Sequence, residues 1–178
     1  MKTKAEIRKA MRGKLAELSL EEKDSASTRL CEQILQDAGL RKSKSLGIFL
    51  SLPDEPNLRP ALQILQREGC RLALPFPNED STWAFHWISG LEGTAQGPWG
   101  LEMPLKGDAV SAADLEAILV PGRAFTRDGQ RIGRGKGIYD RLLSSPCARR
   151  IGFGFACQLQ ETLPQEAHDS GLDEVWLA

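Results

Sequence analysis

The chain has 178 residues, 41% of them hydrophobic, and its 23 lysines and arginines nearly balance 24 acidic residues, for a net charge of -1. That length suits one domain with one core. The balanced charge argues against bulk binding of nucleic acid or a membrane surface. The opening MKTKAEIRKAMRGKL lacks the apolar core of a secretion signal, and no apolar run is long enough to cross a bilayer. Cys31, Cys70, Cys147 and Cys157 form no Cys-x-x-Cys pair and have no histidines nearby. They read as reduced, mostly buried thiols of a cytoplasmic protein, not as a zinc site.

Ile7, Met11, Leu15 and Leu18 recur at helical spacing. Ser19 with Glu22 is a capping-box signature for a second helix, which runs through Leu30, Ile34 and Leu35 and has Gly39 as its stop. Leu46 to Leu50 reads as a buried strand. Asn57 is expected to cap a helix through Leu62 and Leu65 that ends at Gly69, and CRLALPF follows as a short strand. In TWAFHWI, Trp83, Phe85 and Trp87 share one face of a third strand and are expected in the core, with His86 structural. Gly90 to Pro104 is rich in glycine and proline. Ala117 to Val120 is a further strand, and Asp128-Gly129 is a turn signal. A helix is expected from Ile138, then strands in RRIGFGFA and DEVWLA. This alternation predicts an α/β fold: a single-domain three-layer sandwich over residues 1–178, with a mostly parallel sheet and helices on both faces.

The stretch RIGRGKGIYDRLL carries the strongest chemical signal. Gly133, Gly135 and Gly137 let backbone N–H groups approach a ligand, and the helix start behind them favours an anion. Arg131, Arg134 and Lys136 add full charges. No Walker A motif is present, because Lys136 is followed by Gly137, and Ile138 stands where a dinucleotide fingerprint needs glycine. Taken alone, the loop fits a phosphate cradle or a solvated basic turn. Asp140 fits a first-turn acid that complements the helix dipole, or a magnesium ligand beside phosphate.

VPGRAFTRDGQRIGRGKGIYDRLL, together with KAEIRKAMR, IFLSLPDE, WGLEMP and DEVW in the same order, resembles the 5-formyltetrahydrofolate cyclo-ligase family, also called methenyltetrahydrofolate synthetase. The islands span nearly the whole chain, and the long one is the most specific. The resemblance implies ATP- and Mg²⁺-dependent conversion of 5-formyltetrahydrofolate to 5,10-methenyltetrahydrofolate, with ADP and phosphate released. The γ-phosphoryl group would activate the formyl oxygen, and ring closure would follow. It implies ATP contacts at Lys4, Arg8, Arg131, Ile132, Gly133, Arg134, Gly135, Lys136, Gly137, Ile138 and Tyr139, with Arg12 continuing the basic stripe of the first helix. Residues 134–138 would also border the folate. Arg134 and Lys136 would carry the catalytic charge neutralisation. Leu50 and Glu55 would contact the folate, and Trp99 would stack on its pterin or close a loop over the core. Asp140 and Asp173 would bind magnesium. The partners implied are small molecules, for a monomer without nucleic-acid or membrane contacts.

Three positions depart from the family pattern. Ile138 replaces the usual aromatic, Arg123 the usual leucine, and Thr126 a common acid. Arg123 adds a cation near the site that could meet a polyglutamate tail. Ile138 supports the competing reading, a non-catalytic nucleotide- or folate-binding homologue. A third reading, an RNA-phosphate binder, lacks a basic-aromatic RNA motif.

Overall fold

A computed structural model describes residues 2–78, 80, 82–144, 149–166 and 169–178. Cys147 and His168 lie outside the described residues. Helix α1, Lys4–Glu17, starts at a reciprocal cap: the Thr3 hydroxyl accepts from the Glu6 N–H, and the Glu6 carboxylate accepts from the Thr3 N–H. The Ser19–Glu22 box starts α2, Leu20–Gln36, in the same way. Gly39 does not end that helix. Asp37, in an extended conformation, ends it and caps α3, Ala38–Lys42, by accepting from the Leu40 N–H at 2.8 Å. Both Asp37 oxygens also accept from the Arg149 guanidinium, so the break is fixed by an ion pair that periodicity does not reveal. Asn57 stands one residue before the cap position of α4, Arg59–Arg67, where its side chain accepts from the Arg59 N–H at 3.1 Å. The cap residue itself is Leu58, fully buried.

The strands in chain order are β1 Ser45–Gly47, β2 Arg71–Pro77, β3 Trp83–Ile88, β4 Thr94–Gln96, β5 Glu102–Pro104, β6 Ala109–Val110, β7 Ala117–Pro121, β8 Ala124–Phe125, β9 Arg131–Ile132, β10 Arg149–Gly154 and β11 Glu174–Leu177. A seven-stranded sheet runs β11-β10-β7-β1-β2-β3-β6. Its first five strands are mutually parallel, and β3 and β6 add antiparallel pairings. The ladder of β1 is shorter than the apolar run predicts: residues 48–50 are buried but leave the strand, and Phe49 and Leu50 line a cavity.

Successive side chains of a strand face opposite ways, and the two cores follow that rule. Leu72, Leu74, Leu119, Ile151 and Phe153 pack under α2, α3 and α4. Ala73, Ile118 and Val120 face the other side, with Phe85, Phe125 and Leu142. Trp83 and Trp87 pack partly buried against this second cluster. His86 hydrogen-bonds the Gly107 carbonyl through Nδ1 at 2.9 Å and packs on Phe76, a structural place. The cover is uneven: the second face is closed by α5, Ile138–Leu142, and a 3-10 turn at Ala112–Asp114 rather than by long helices. Helix α1 instead buries Ile7 and Met11 against Ala124 and Ile132 of the β8–β9 hairpin. That placement sets its basic stripe beside the glycine-rich loop.

The Asp128-Gly129 turn closes this hairpin. Gly129 has φ +89°, and a Cβ there would lie 2.1 Å from the Leu172 carbonyl oxygen. The Leu172 N–H donates to the Gly129 carbonyl at 2.9 Å, so neither backbone is free to shift. Gly129→Ala is therefore expected to destabilise the fold by about 2 kcal/mol or more, seen as a lower denaturant midpoint at unchanged slope.

Candidate active site

A cavity of about 290 Å³ opens at the carboxyl ends of the parallel strands, where open α/β sheets place their ligands. Phe49 and Leu50 reach it from the end of β1, Leu74 and Pro75 from β2, and Pro121 to Arg123 from β7. Apolar strand ends thus form the floor, and the polar groups come from loops.

The glycine-rich loop forms one wall. It leaves β9 at Ile132 and enters α5 at Ile138, with Gly135 at φ +93° and Gly137 at φ +65°. Both angles lie in the left-handed region that favours glycine. With only five residues, α5 supplies little dipole, so the positive potential comes mainly from side chains. The Arg131 side chain is 2% exposed and pairs with Asp140 at 2.6 Å. Its Nη1 donates to the Pro121 carbonyl at 3.3 Å, while its buried Nε has no partner among the described residues. Burial pulls the Arg131 pKa down, against the opposing pull of Asp140. Burial likewise pushes Tyr139 far up, so its phenol stays neutral.

Helix α1 braces this wall. Arg8 Nε donates to the Gly133 carbonyl at 2.9 Å, and Arg12 lines the cavity. Lys4 is held by both oxygens of Asp169, at 2.7 and 2.6 Å, with Glu166 at 3.4 Å. The next residue, Ser170, donates to the Asp140 carbonyl at 3.3 Å. Asp169 also acts electrostatically on Arg131.

The facing wall comes from the turn after β1. Glu55 is nearly buried and accepts from the Leu52 N–H at 3.0 Å and from Arg134 Nε at 2.8 Å. Asp54 bridges Arg134 and Arg123, with one oxygen on each. Burial works against ionisation of Asp54, but hydrogen bonds from Arg134 and Arg123 outweigh it and hold its carboxyl below the ordinary value. At the mouth, the β4–β5 hairpin carries Trp99, 57% exposed and at φ 59°, with Lys136 Nζ 4.6 Å from its ring centre. That distance is within cation–π range.

Of the residues expected from sequence, Leu50, Glu55, Trp99, Arg131, Gly133, Arg134, Lys136, Gly137, Ile138, Tyr139 and Asp140 all line this cavity. Gly135 and Arg8 back the loop from behind it. The Ile132 side chain lies instead in the core with Ile7 and Met11. The structure does not bring Asp173 to the cavity wall: it binds Arg150 beside the start of β10. Asp169 instead pairs with Lys4, and only the basic stripe of α1 could have pointed to it. Asp54 was visible only as Glu55's neighbour in a turn. Asp140 Oδ2 takes no hydrogen bond among the described residues. Among the described residues, no group of three or more histidine, cysteine, aspartate or glutamate side chains could hold a metal ion.

The Asp54 shift has a signed consequence. A carboxyl lowered on folding contributes stability that is fully present above its ordinary value of 3.8 and is lost as pH falls through the lower folded value. Below pH 4, Asp54→Asn is therefore expected to flatten the acid limb of a stability–pH curve. A limb unchanged from wild type would contradict this.

Comparison with known proteins gives the family. The 5-formyltetrahydrofolate cyclo-ligase family model matches residues 1–178. The mouse 5-formyltetrahydrofolate cyclo-ligase is 28% identical over 95% of this chain and 90% of its own. The Mycolicibacterium smegmatis protein of that name is 30% identical over 78% and 76%. The solved 5,10-methenyltetrahydrofolate synthetase of Aquifex aeolicus is 29% identical, with a TM-score of 0.86 over 97% of this chain and 88% of that one. A Mycoplasma pneumoniae synthetase, 20% identical with a TM-score of 0.77 over 97% and 96%, shares the fold. With its whole length matched and its glycine-rich loop facing Glu55 across one cavity, the chain belongs to the 5-formyltetrahydrofolate cyclo-ligase family.

Proposed function

We propose that residues 1–178 form one catalytic domain that uses ATP and magnesium to convert 5-formyltetrahydrofolate to 5,10-methenyltetrahydrofolate, ADP and phosphate. The observation that carries this reading is the two-sided cavity. A cationic glycine loop lines one wall, and a carboxylate suited to pterin N–H groups lines the other. The free thiols of Cys31, Cys70 and Cys157 suit a reducing compartment such as the cytoplasm.

The formyl amide oxygen is a poor leaving group. Transfer of the γ-phosphoryl group to it makes an imidate phosphate and ADP. The neighbouring folate nitrogen then attacks the formyl carbon, and the carbon–oxygen bond breaks to release phosphate. Such chemistry needs positioning and charge neutralisation more than a protein nucleophile. Lys136 and Arg134 stand on the loop to neutralise the phosphoryl oxygens, and Arg131 stabilises the loop from below. Glu55 orients the pterin by accepting its N–H groups, while Leu50, Ile138 and Trp99 provide apolar contact. Asp140, which lines the cavity, would hold magnesium, and the metal would offset triphosphate charge when bound.

The test is to mix purified protein with ATP, Mg²⁺ and 5-formyltetrahydrofolate and follow methenyl absorbance. Lys136→Ala is expected to lower kcat/KM by roughly 10²- to 10³-fold. Asp140→Asn is expected to raise the magnesium needed for half-maximal rate about tenfold or more. No signal from concentrated wild-type protein would sink the reading in favour of a binding-only homologue. Ile138→Tyr is expected to tighten folate binding roughly threefold to tenfold, through ring stacking that isoleucine cannot supply. An unchanged or weaker dissociation constant would remove Ile138 from the folate wall.

A further inference from the structure

The guanidinium of Arg134 has three nitrogens, and the facing wall occupies two of them. Nε donates to Glu55 at 2.8 Å and Nη2 to Asp54, which leaves Nη1 without a protein partner among the described residues. Two carboxylates on two nitrogens of a planar fork fix both its position and its plane. A single contact would leave it free to swing on a flexible stem. Arg134 itself stands in the most glycine-rich part of the chain, between Gly133 and Gly135, so its own backbone does little to aim it.

Asp54 is in turn held from the core side. Its second oxygen accepts from Nη1 of Arg123, whose side chain is 9% exposed. The Arg123 backbone is fixed twice: its N–H donates to the Ile132 carbonyl at 2.7 Å, and its carbonyl accepts from Gln158 Nε2 at 3.1 Å. Gln158 is 1% exposed, also donates to the Gly122 carbonyl and accepts from the Phe155 N–H. A continuous polar chain therefore runs from the buried core through Arg123 and Asp54 to Arg134. The unusual cation at position 123 has a definite partner inside the protein.

We propose that Asp54, anchored by Arg123, is a positioning residue for the ring-closing reaction: it aims the free Nη1 of the Arg134 guanidinium at the oxygens of the transferred phosphoryl group. The proposal rests on the reading given under Proposed function. A misaimed arginine loses contact with the transition state while substrate binding by the rest of the cavity persists, so the loss falls on kcat more than on KM. Because Asp54 acts through Arg134, it has nothing to contribute once that side chain is removed.

The experiment compares wild type, Asp54→Asn, Arg134→Ala and the double variant by steady-state kinetics. It adds the Arg134 Nε–Hε NMR signal, assigned by its disappearance in Arg134→Lys. Asp54→Asn is expected to lower kcat roughly tenfold or more and leave the folate KM within about threefold. The double variant should be no slower than Arg134→Ala alone. The Nε–Hε signal should be protected from exchange in wild type and lose protection in Asp54→Asn. Wild-type kcat in Asp54→Asn, a loss that adds fully to that of Arg134→Ala, or an unaltered Nε–Hε signal would each overturn the proposal. An inactive wild type would defeat the ring-closing reading instead. The NMR comparison would then still decide whether Asp54 holds Arg134, and an unaltered signal would end the positioning claim as well.

Discussion

The ion pair between Arg131 and Asp140 closes the glycine-rich loop at both ends. Between them lies a segment whose glycines give it few conformational preferences of its own. Arg131 is buried almost completely, and taking a guanidinium out of water is costly unless a carboxylate meets it. Removing one partner of such a pair typically costs about 3–5 kcal/mol, because the other charge is stranded. The loop's shape is thus set by a buried charge that has one carboxylate partner and, among the described residues, one nitrogen without a partner. Asp140 serves that pairing through Oδ1 and also lines the cavity.

The remaining architecture supplies this clasp with a setting. Three of the five parallel strands, β1, β2 and β7, end at the cavity and offer a floor of apolar residues. Helix α1 packs on the β8–β9 hairpin rather than on the main sheet, so Arg8 reaches the loop backbone and Arg12 the cavity. Five cationic side chains line the cavity against three carboxylates. That local excess, in a chain of nearly balanced charge, suits a polyanion such as a triphosphate. The facing wall is built differently, with Glu55 nearly buried among Leu50, Leu52 and Phe49. One cavity therefore presents a cationic wall and a wall with a nearly buried carboxylate to each other.

Much of this was legible in the chain. The apolar runs CRLALPF and Ala117 to Val120 gave strands, the Ser19–Glu22 capping box gave the start of α2, and Asp-Gly gave the hairpin turn. The glycine-rich motif located the cavity because its chemistry is local. What depends on distant partners was hidden. Gly39 read as a helix stop because nothing in the sequence shows Arg149 holding Asp37. Ile132 read as part of the ligand loop because its burial depends on α1. Asp173 and Asp169 lie four residues apart, and only the fold shows which one faces Lys4 and which one faces Arg150. Arg123 read as a loose extra cation, whereas Asp54 binds it.

The central claim is that the loop delivers a phosphoryl group to the formyl oxygen, and oxygen tracing tests that step directly. The substrate would carry ¹⁸O in its formyl group and be turned over with unlabelled ATP and Mg²⁺. The account predicts that the label leaves in inorganic phosphate, one ¹⁸O for each methenyl product formed. Unlabelled phosphate, with the ¹⁸O recovered in water, would contradict it.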